Sequence, residues 1–209
     1  MGTVWLASAS KRRHSWLSEE LGKFGVKVKV CQIEYSEPEP RAGTEVKAQV
    51  EEACMHKANA ASSTLVVGGG DDGRIIVVSD TLVEDPDDHK VALGKPADVA
   101  TAASTLIRLS GRRHRVWSST AIIQKGIGEI ELDNGWMASL WTDYSIVEFE
   151  EIQEAVLKEM LDRGSWIGKA GGYDLAGRAG EFSRVIEGEE VDVLGFSSRA
   201  MNELAERLS

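Results

Sequence analysis

Cysteine is scarce in this chain. Only two occur in 209 residues, Cys31 in a strand-like run and Cys54 on a stretch that reads as helix. Two thiols without metal-ligand spacing point to a reduced, cytoplasmic protein, and they leave one disulfide open. No apolar run approaches the ~20 residues of a membrane span. Met1 to Ala9 is short and lacks the basic region that opens a secretory signal. Positive charge is also short. Lysine and arginine number 24 against 34 acids, for a net charge of −10, which speaks against a binder of nucleic-acid polymers. That balance still permits a local basic cluster around a small anion. Several signatures are missing as well. There is no GxxxxGK[ST] phosphate loop and no HExxH pair, and DPDDHK, from Asp85 to Lys90, lacks calcium-loop spacing.

What is present alternates between short apolar runs and amphipathic stretches. Val4 to Ala7 reads as a strand and Lys11 to Leu21 as a helix capped by Ser10. Val26 to Val30 alternates as a half-exposed strand does, and two of the four prolines crowd into IEYSEPEPRAG, a loop. Thr44 to Ala61 is a long helix. Leu65 to Val67 and Ile75 to Val78 read as two strands split by a GGGDDG turn. Asp98 to Leu109 is a helix. Arg115 to Gln124, Glu129 to Leu132 and Met137 to Phe149 are strands with hairpin-like links. Glu150 to Leu161 and Ser197 to Leu208 close the pattern as helices, with the glycine-rich segment 164–180 between them. This order implies an α/β fold on a mixed sheet, one domain over residues 1–209, with room for two lobes sharing that sheet.

Four segments carry candidate chemistry. In LASASKRR the cations Lys11, Arg12 and Arg13 fall in the first turn of a helix. There the backbone already carries partial positive charge, and each costs ~0.3–1 kcal/mol. Free N–H groups, the hydroxyls of Ser8 and Ser10 and the forked donors of Arg12 and Arg13 together suit an oligophosphate. A solvated arginine pair is the plainer reading. IIVVSDTLV delivers Asp80 to the end of a buried strand, where open α/β sheets bind ligands, and a carboxylate there can hold a cation or accept a proton. A turn at Asp80 and Thr81 fits equally. LGKP fixes Lys95 between glycine and proline before a helix, as a phosphate partner or a surface lysine. GKAGGYDLAGRAGEF supplies Lys169, Arg178 and glycines that let backbone approach a ligand, or else it is a flexible connection.

Taken together, LASASKRR, SDT, LGKP, LSGRRHRVWSSTAI, GKAGGYDLAG and RVIEGEEVDVLGF resemble, in this order and spacing, the Maf family of nucleoside triphosphate pyrophosphatases. The resemblance spans nearly the whole chain. It implies an elongated mixed sheet flanked by helices, in a Maf/ITPase-like fold of two lobes with a deep central cleft. It further implies hydrolysis of a nucleoside triphosphate, dTTP, UTP or a modified nucleotide, to the monophosphate and pyrophosphate with Mg²⁺ or Mn²⁺. A non-catalytic nucleotide-binding relative is the alternative. Carried onto this chain, Asp80 is the proton acceptor and metal-linked carboxylate, and Glu34, or Glu37, is a second carboxylate. Ser8, Ser10, Arg12, Arg13, Lys57, Lys95 and Lys169 hold phosphates. Arg12, Thr81 and position 176 select the base. Three departures stand out: Lys11 for the usual Pro, Gly168 for the Asp of DKAG, and Ala176 for the Gln of IQG. The family often forms homodimers.

Overall fold

The structure, a computed structural model, describes residues 2–33, 43–66 and 73–208. A single eight-stranded sheet runs through it. Its first strand, β1 (Thr3–Leu6), lies parallel to β2 (Lys27–Val30) on one side and to the start of β3 (Ile75–Glu84) on the other. All other pairings are antiparallel. The short β4 (Ala92–Leu93) pairs with β3, and β5 (Arg113–Lys125) pairs with β3 and with β7 (Trp136–Phe149). A short β6 (Ile130–Glu131) and β8 (Ser183–Glu187) flank β7.

Period-two alternation along β3 sorts the helices onto opposite faces. Ile76 and Val78 pack with Cys54, Ala58 and Ala61 of α2 (Val46–Val66). Ile75 and Val77 pack on the other face with Leu17 and Leu21 of α1 (Lys11–Gly22). Leu204 of α6 (Ser198–Leu208) joins that second cluster. Further along the sheet, Val83, Val116 and Phe149 form a third cluster. Leu106 and Leu109 of α3 (Val99–Leu109) and Met160 of α4 (Glu154–Asp162) complete it. A short α5 (Glu190–Leu194) precedes α6. The mixed α/β architecture is therefore as expected, with a cleft of about 750 Å³ lined by both the first and the third region.

Three boundaries differ from the sequence reading. Leu65 and Val66 continue α2 instead of forming a strand; Val67 and most of the GGGDDG turn lie outside the described residues. The strand at Ile75 does not stop at Val78 but runs to Glu84, because β5 pairs with it through Val83. Residues 150–153 lie outside any helix and α4 starts only at Glu154. The Glu150 N–H is taken by the Phe182 carbonyl at 2.8 Å and that of Ile152 by the Ser110 hydroxyl at 2.7 Å. Both cysteines are free, buried thiols, and no helix is long and apolar enough to cross a membrane among the described residues.

Candidate active site

Asp80 sits in the middle of β3, not at its end, yet it still faces open space. β1 ends at Leu6 opposite Val77, so β3 loses that neighbour just before Asp80 while β5 continues beside it. Asp80 has the parity of Ile76 and Val78 and points towards α2. There Lys57 Nζ lies 2.9 Å from its Oδ2 and donates to the Ser79 carbonyl at 3.3 Å. The other oxygen, Oδ1, accepts the Thr81 N–H at 2.8 Å. Both members of the pair are buried, and both line the cleft. A buried contact of this kind fixes the carboxylate's orientation where water and substrate can reach it. Cys54, behind the pair, is not a nucleophile: burial first, and the Asp80 charge second, push its thiol up to about 12.

The first turn of α1 forms the adjacent wall. Ser10 caps the helix, its hydroxyl accepting the Arg13 N–H at 3.3 Å. Arg13 then turns inward, donating to the Ser79 carbonyl at 2.9 Å and to Thr81 Oγ1 at 2.7 Å. Gly195 makes room for it. A Cβ there would lie 2.4 Å from Arg13 Nε, and the backbone has φ +123°. Arg13 is thus tied to β3, with fewer donors directed at the cleft than a solvated arginine would offer. Thr81 Oγ1 also meets Ser118 Oγ at 2.9 Å, and Ser118 donates to the Asp192 carbonyl at 2.6 Å. The threonine is therefore fixed from two sides. Arg12 points elsewhere, to the Asp174 carboxylate at 2.6 Å and the Leu194 carbonyl at 3.1 Å.

The glycine segment forms the opposite wall, and its glycines approach protein. A Cβ on Gly171 would lie 2.8 Å from Val83 Cγ2, and its φ is +67°. Its N–H donates to the Gly94 carbonyl at 3.0 Å, which seats the segment beside exposed Lys95. Tyr173 anchors the same segment from below, its hydroxyl 2.8 Å from His114 Nε2, with Phe149 edge-on to both rings. Burial pushes the imidazolium of His114 down to about 3, so the ring is neutral. Lys169 donates to the Ser165 carbonyl and lies 3.9 Å from Asp174.

Six basic and two acidic side chains line the cleft, in a chain of net charge −10. Field lines focus in such a concavity and favour a polyanion. Ser8, Ser10, Arg12, Arg13, Lys57 and Asp80 gather there, as do Thr81, Lys95 and Lys169. Ala176 is not among the lining residues; its N–H donates to Asp174 Oδ1 at 3.0 Å. Glu34 and Glu37 lie outside the described residues. Among the described residues no three acidic, His or Cys side chains converge as a metal cage. Mg²⁺ does not need one: it takes one or two carboxylates and otherwise phosphate and water. Asp80, a hard oxygen donor beside a polyanion cleft, fits that pattern.

The Maf family model, described as Maf-like protein, matches residues 3–208. This chain belongs to the Maf-like family. It is 30% identical over 197 residues to a dTTP/UTP pyrophosphatase of Burkholderia pseudomallei, covering 92% of this chain and 87% of that protein. It is also 30% identical over 190 residues to a dTTP/UTP pyrophosphatase of Novosphingobium aromaticivorans, covering 91% and 84%.

Three residues of this Maf-like chain escaped the sequence reading. Asp174 was hidden inside a segment read for its glycines and lysine, although an acid between Tyr173 and Leu175 was visible. Gly195 carries no local signal, because its reason is Arg13, 182 residues away in chain order on α1. His114 stands in no HExxH or paired spacing that would mark it in the sequence, and its partner is Tyr173, 59 residues away.

Proposed function

We propose that this chain hydrolyses nucleoside triphosphates, with dTTP and UTP foremost, to the monophosphate and pyrophosphate in the cytoplasm. The observation that carries this reading is the buried Asp80–Lys57 pair opening into a cation-lined cleft. Both relatives named above are dTTP/UTP pyrophosphatases, which supports the same substrate class. In this reading Asp80 orients water towards the α-phosphorus and accepts its proton. Lys57 keeps that carboxylate placed. Ser8, Ser10 and the free N–H groups at the start of α1 seat phosphate oxygens, with Lys95 and Lys169 closing from the opposite wall. Arg13 holds Thr81 against the base-proximal side. Asp80 would hold Mg²⁺ or Mn²⁺, which when bound would supply charge neutralisation on the leaving pyrophosphate.

The test is a panel of nucleoside triphosphates with Mg²⁺ or Mn²⁺, assaying pyrophosphate and orthophosphate separately, with Asp80→Asn beside the native chain. Pyrophosphate from dTTP and UTP, reduced ~10²–10⁴-fold in the variant, is the expected result for loss of a general base. Orthophosphate as the first product overturns the reaction. Tight nucleotide binding without turnover would transfer support to a non-catalytic, regulatory relative.

A further inference from the structure

Asp174 has no role in the mechanism above, yet it lines the cleft and its side chain is only 19% exposed. Its Oδ1 is fully engaged, 2.6 Å from Arg12 Nη1 and 3.0 Å from the Ala176 N–H. Its Oδ2 makes no hydrogen bond among the described residues; Lys169 Nζ, at 3.9 Å, is beyond hydrogen-bond reach. An ionised carboxylate offers about four lone-pair sites, so Oδ2 is an acceptor without a donor. A phosphate cannot be that partner, because two anions repel. A group that pairs with Oδ2 has to donate.

The surroundings say what kind of donor fits. Val83, Val116, Tyr173 and Val193 belong to one buried apolar cluster, Leu175 packs against it, and all five line the cleft. Apolar walls with one or two placed polar groups suit a planar heterocycle and give nothing to a triphosphate. Apolar side chains distinguish this stretch of the cleft from the one built by Ser8, Ser10, Lys57 and Asp80, and Lys169, 3.9 Å from Asp174, lies where the two meet. Arg12, clamped between Asp174 and the Leu194 carbonyl, sets a donor beside the acceptor. A donor next to an acceptor matches a ring N–H next to a ring carbonyl.

We infer that Asp174, held by Arg12, reads the base: Oδ2 accepts the N3–H of uracil or thymine while Arg12 faces an adjacent ring carbonyl. The inference rests on the nucleotide-hydrolase reading. Cytosine presents a bare ring nitrogen at that place and meets the carboxylate lone pair against lone pair. The specificity of this chain thus depends on an acid in its glycine segment, fixed by the same Arg12 that opens α1.

The experiment compares dTTP with N3-methyl-dTTP, in the native chain, Asp174→Ala and Asp174→Asn, reading kcat/KM from pyrophosphate release. A hydrogen bond to a charged group predicts that the native chain prefers dTTP by ~10–100-fold. In Asp174→Ala the gap closes to within about threefold, because dTTP falls and the methylated nucleotide does not. Asp174→Asn, with a neutral acceptor of the same shape, lies between them and shows that the segment still folds. Inorganic tripolyphosphate, which has no base, inhibits native and variant chains at least equally well. The inference is overturned if Asp174→Ala keeps the native gap, if all nucleotides lose equally, or if tripolyphosphate inhibition weakens with them. If the native chain hydrolyses no nucleotide at all, the hydrolase reading fails first and the failure is visible before any variant is made.

Discussion

The two walls of the cleft are held by different physics. The wall made by β1, α1, α2 and β3 is built from regular elements, and its key groups are locked by buried polar contacts: Lys57 to Asp80, Arg13 to Ser79 and Thr81. The opposite wall is irregular. Its segment from Gly168 to Leu175 is seated by a glycine against Val83, a backbone hydrogen bond to Gly94, a tyrosine on a buried histidine and the ion pair of Asp174 with Arg12. Reacting groups need placement to within about half an ångström, and regular elements supply it. Selection among bases tolerates a loop, and loops change without disturbing the sheet. The difference teaches where to expect loss of turnover and where to expect loss of preference.

The comparison breaks most visibly at the buried pair. Lys57→Met leaves Asp80 as an uncompensated buried charge and should cost ~3–5 kcal/mol of stability, together with most of the turnover. Adding Asp80→Asn should restore much of the stability and none of the activity. Urea unfolding of the two single variants and the double variant measures the coupling directly. If the losses simply add, the pair does not hold this wall together.

Next in size is Gly195→Ala. The added Cβ would stand 2.4 Å from Arg13 Nε at a φ of +123°. Either the backbone or the guanidinium moves. Strain of this sort costs ~1–3 kcal/mol, and a displaced Arg13 should release Thr81 and lower kcat/KM by ~10–100-fold. Thermal unfolding and dTTP turnover report the two parts. An unchanged kcat/KM would mean that Arg13 does not position Thr81.

The irregular wall makes its own prediction through His114. Folded, its pKa is about 3 against an ordinary 6.5. Between those values the unfolded chain binds a proton that the folded chain refuses. This contribution is therefore complete above 6.5 and falls as pH drops towards 3, by at most ~1.4 kcal/mol per pH unit. Unfolding near pH 5 and near pH 7.5 should show a steeper loss in the native chain than in His114→Gln, since carboxylate titration is common to both. Equal slopes would remove His114 as the neutral anchor of Tyr173.

These predictions also show which parts were legible beforehand. The α1 cap at Ser10, the α3 cap at Asp98 and the strand pattern of β5 and β7 were readable, because capping and alternation are local. Leu65 and Val66 read as strand because a short apolar run looks the same at a helix end as in a strand, and only the continuity of α2 decides. The extension of β3 to Glu84 depends on a distant partner, Ser119 opposite Asp80 being 39 residues away, and no window on β3 contains it. At the site, the cationic residues were visible as a motif while their targets were not. That Arg13 turns to β3 and Arg12 to Asp174 is settled by contacts across 66 and more residues of chain.

The smallest effect concerns the first turn of α1, where three cations meet the positive end of the helix. Ser10, the N-cap, has φ −73° and ψ 110°, an extended conformation that tolerates a following proline. Lys11 is the first helical residue, and its N–H has no partner among the described residues. Proline at that place loses no intrahelical bond, has its φ already set, and removes one unfavourable charge. Lys11→Pro should therefore raise the stability of the ligand-free chain by ~0.5–1 kcal/mol. With saturating dTTP the gain should shrink, because the triphosphate already neutralises that helix end. A gain that is the same with and without nucleotide would place the phosphates away from the start of α1, and the regular wall would then hold the reacting carboxylate but not the charge of the substrate.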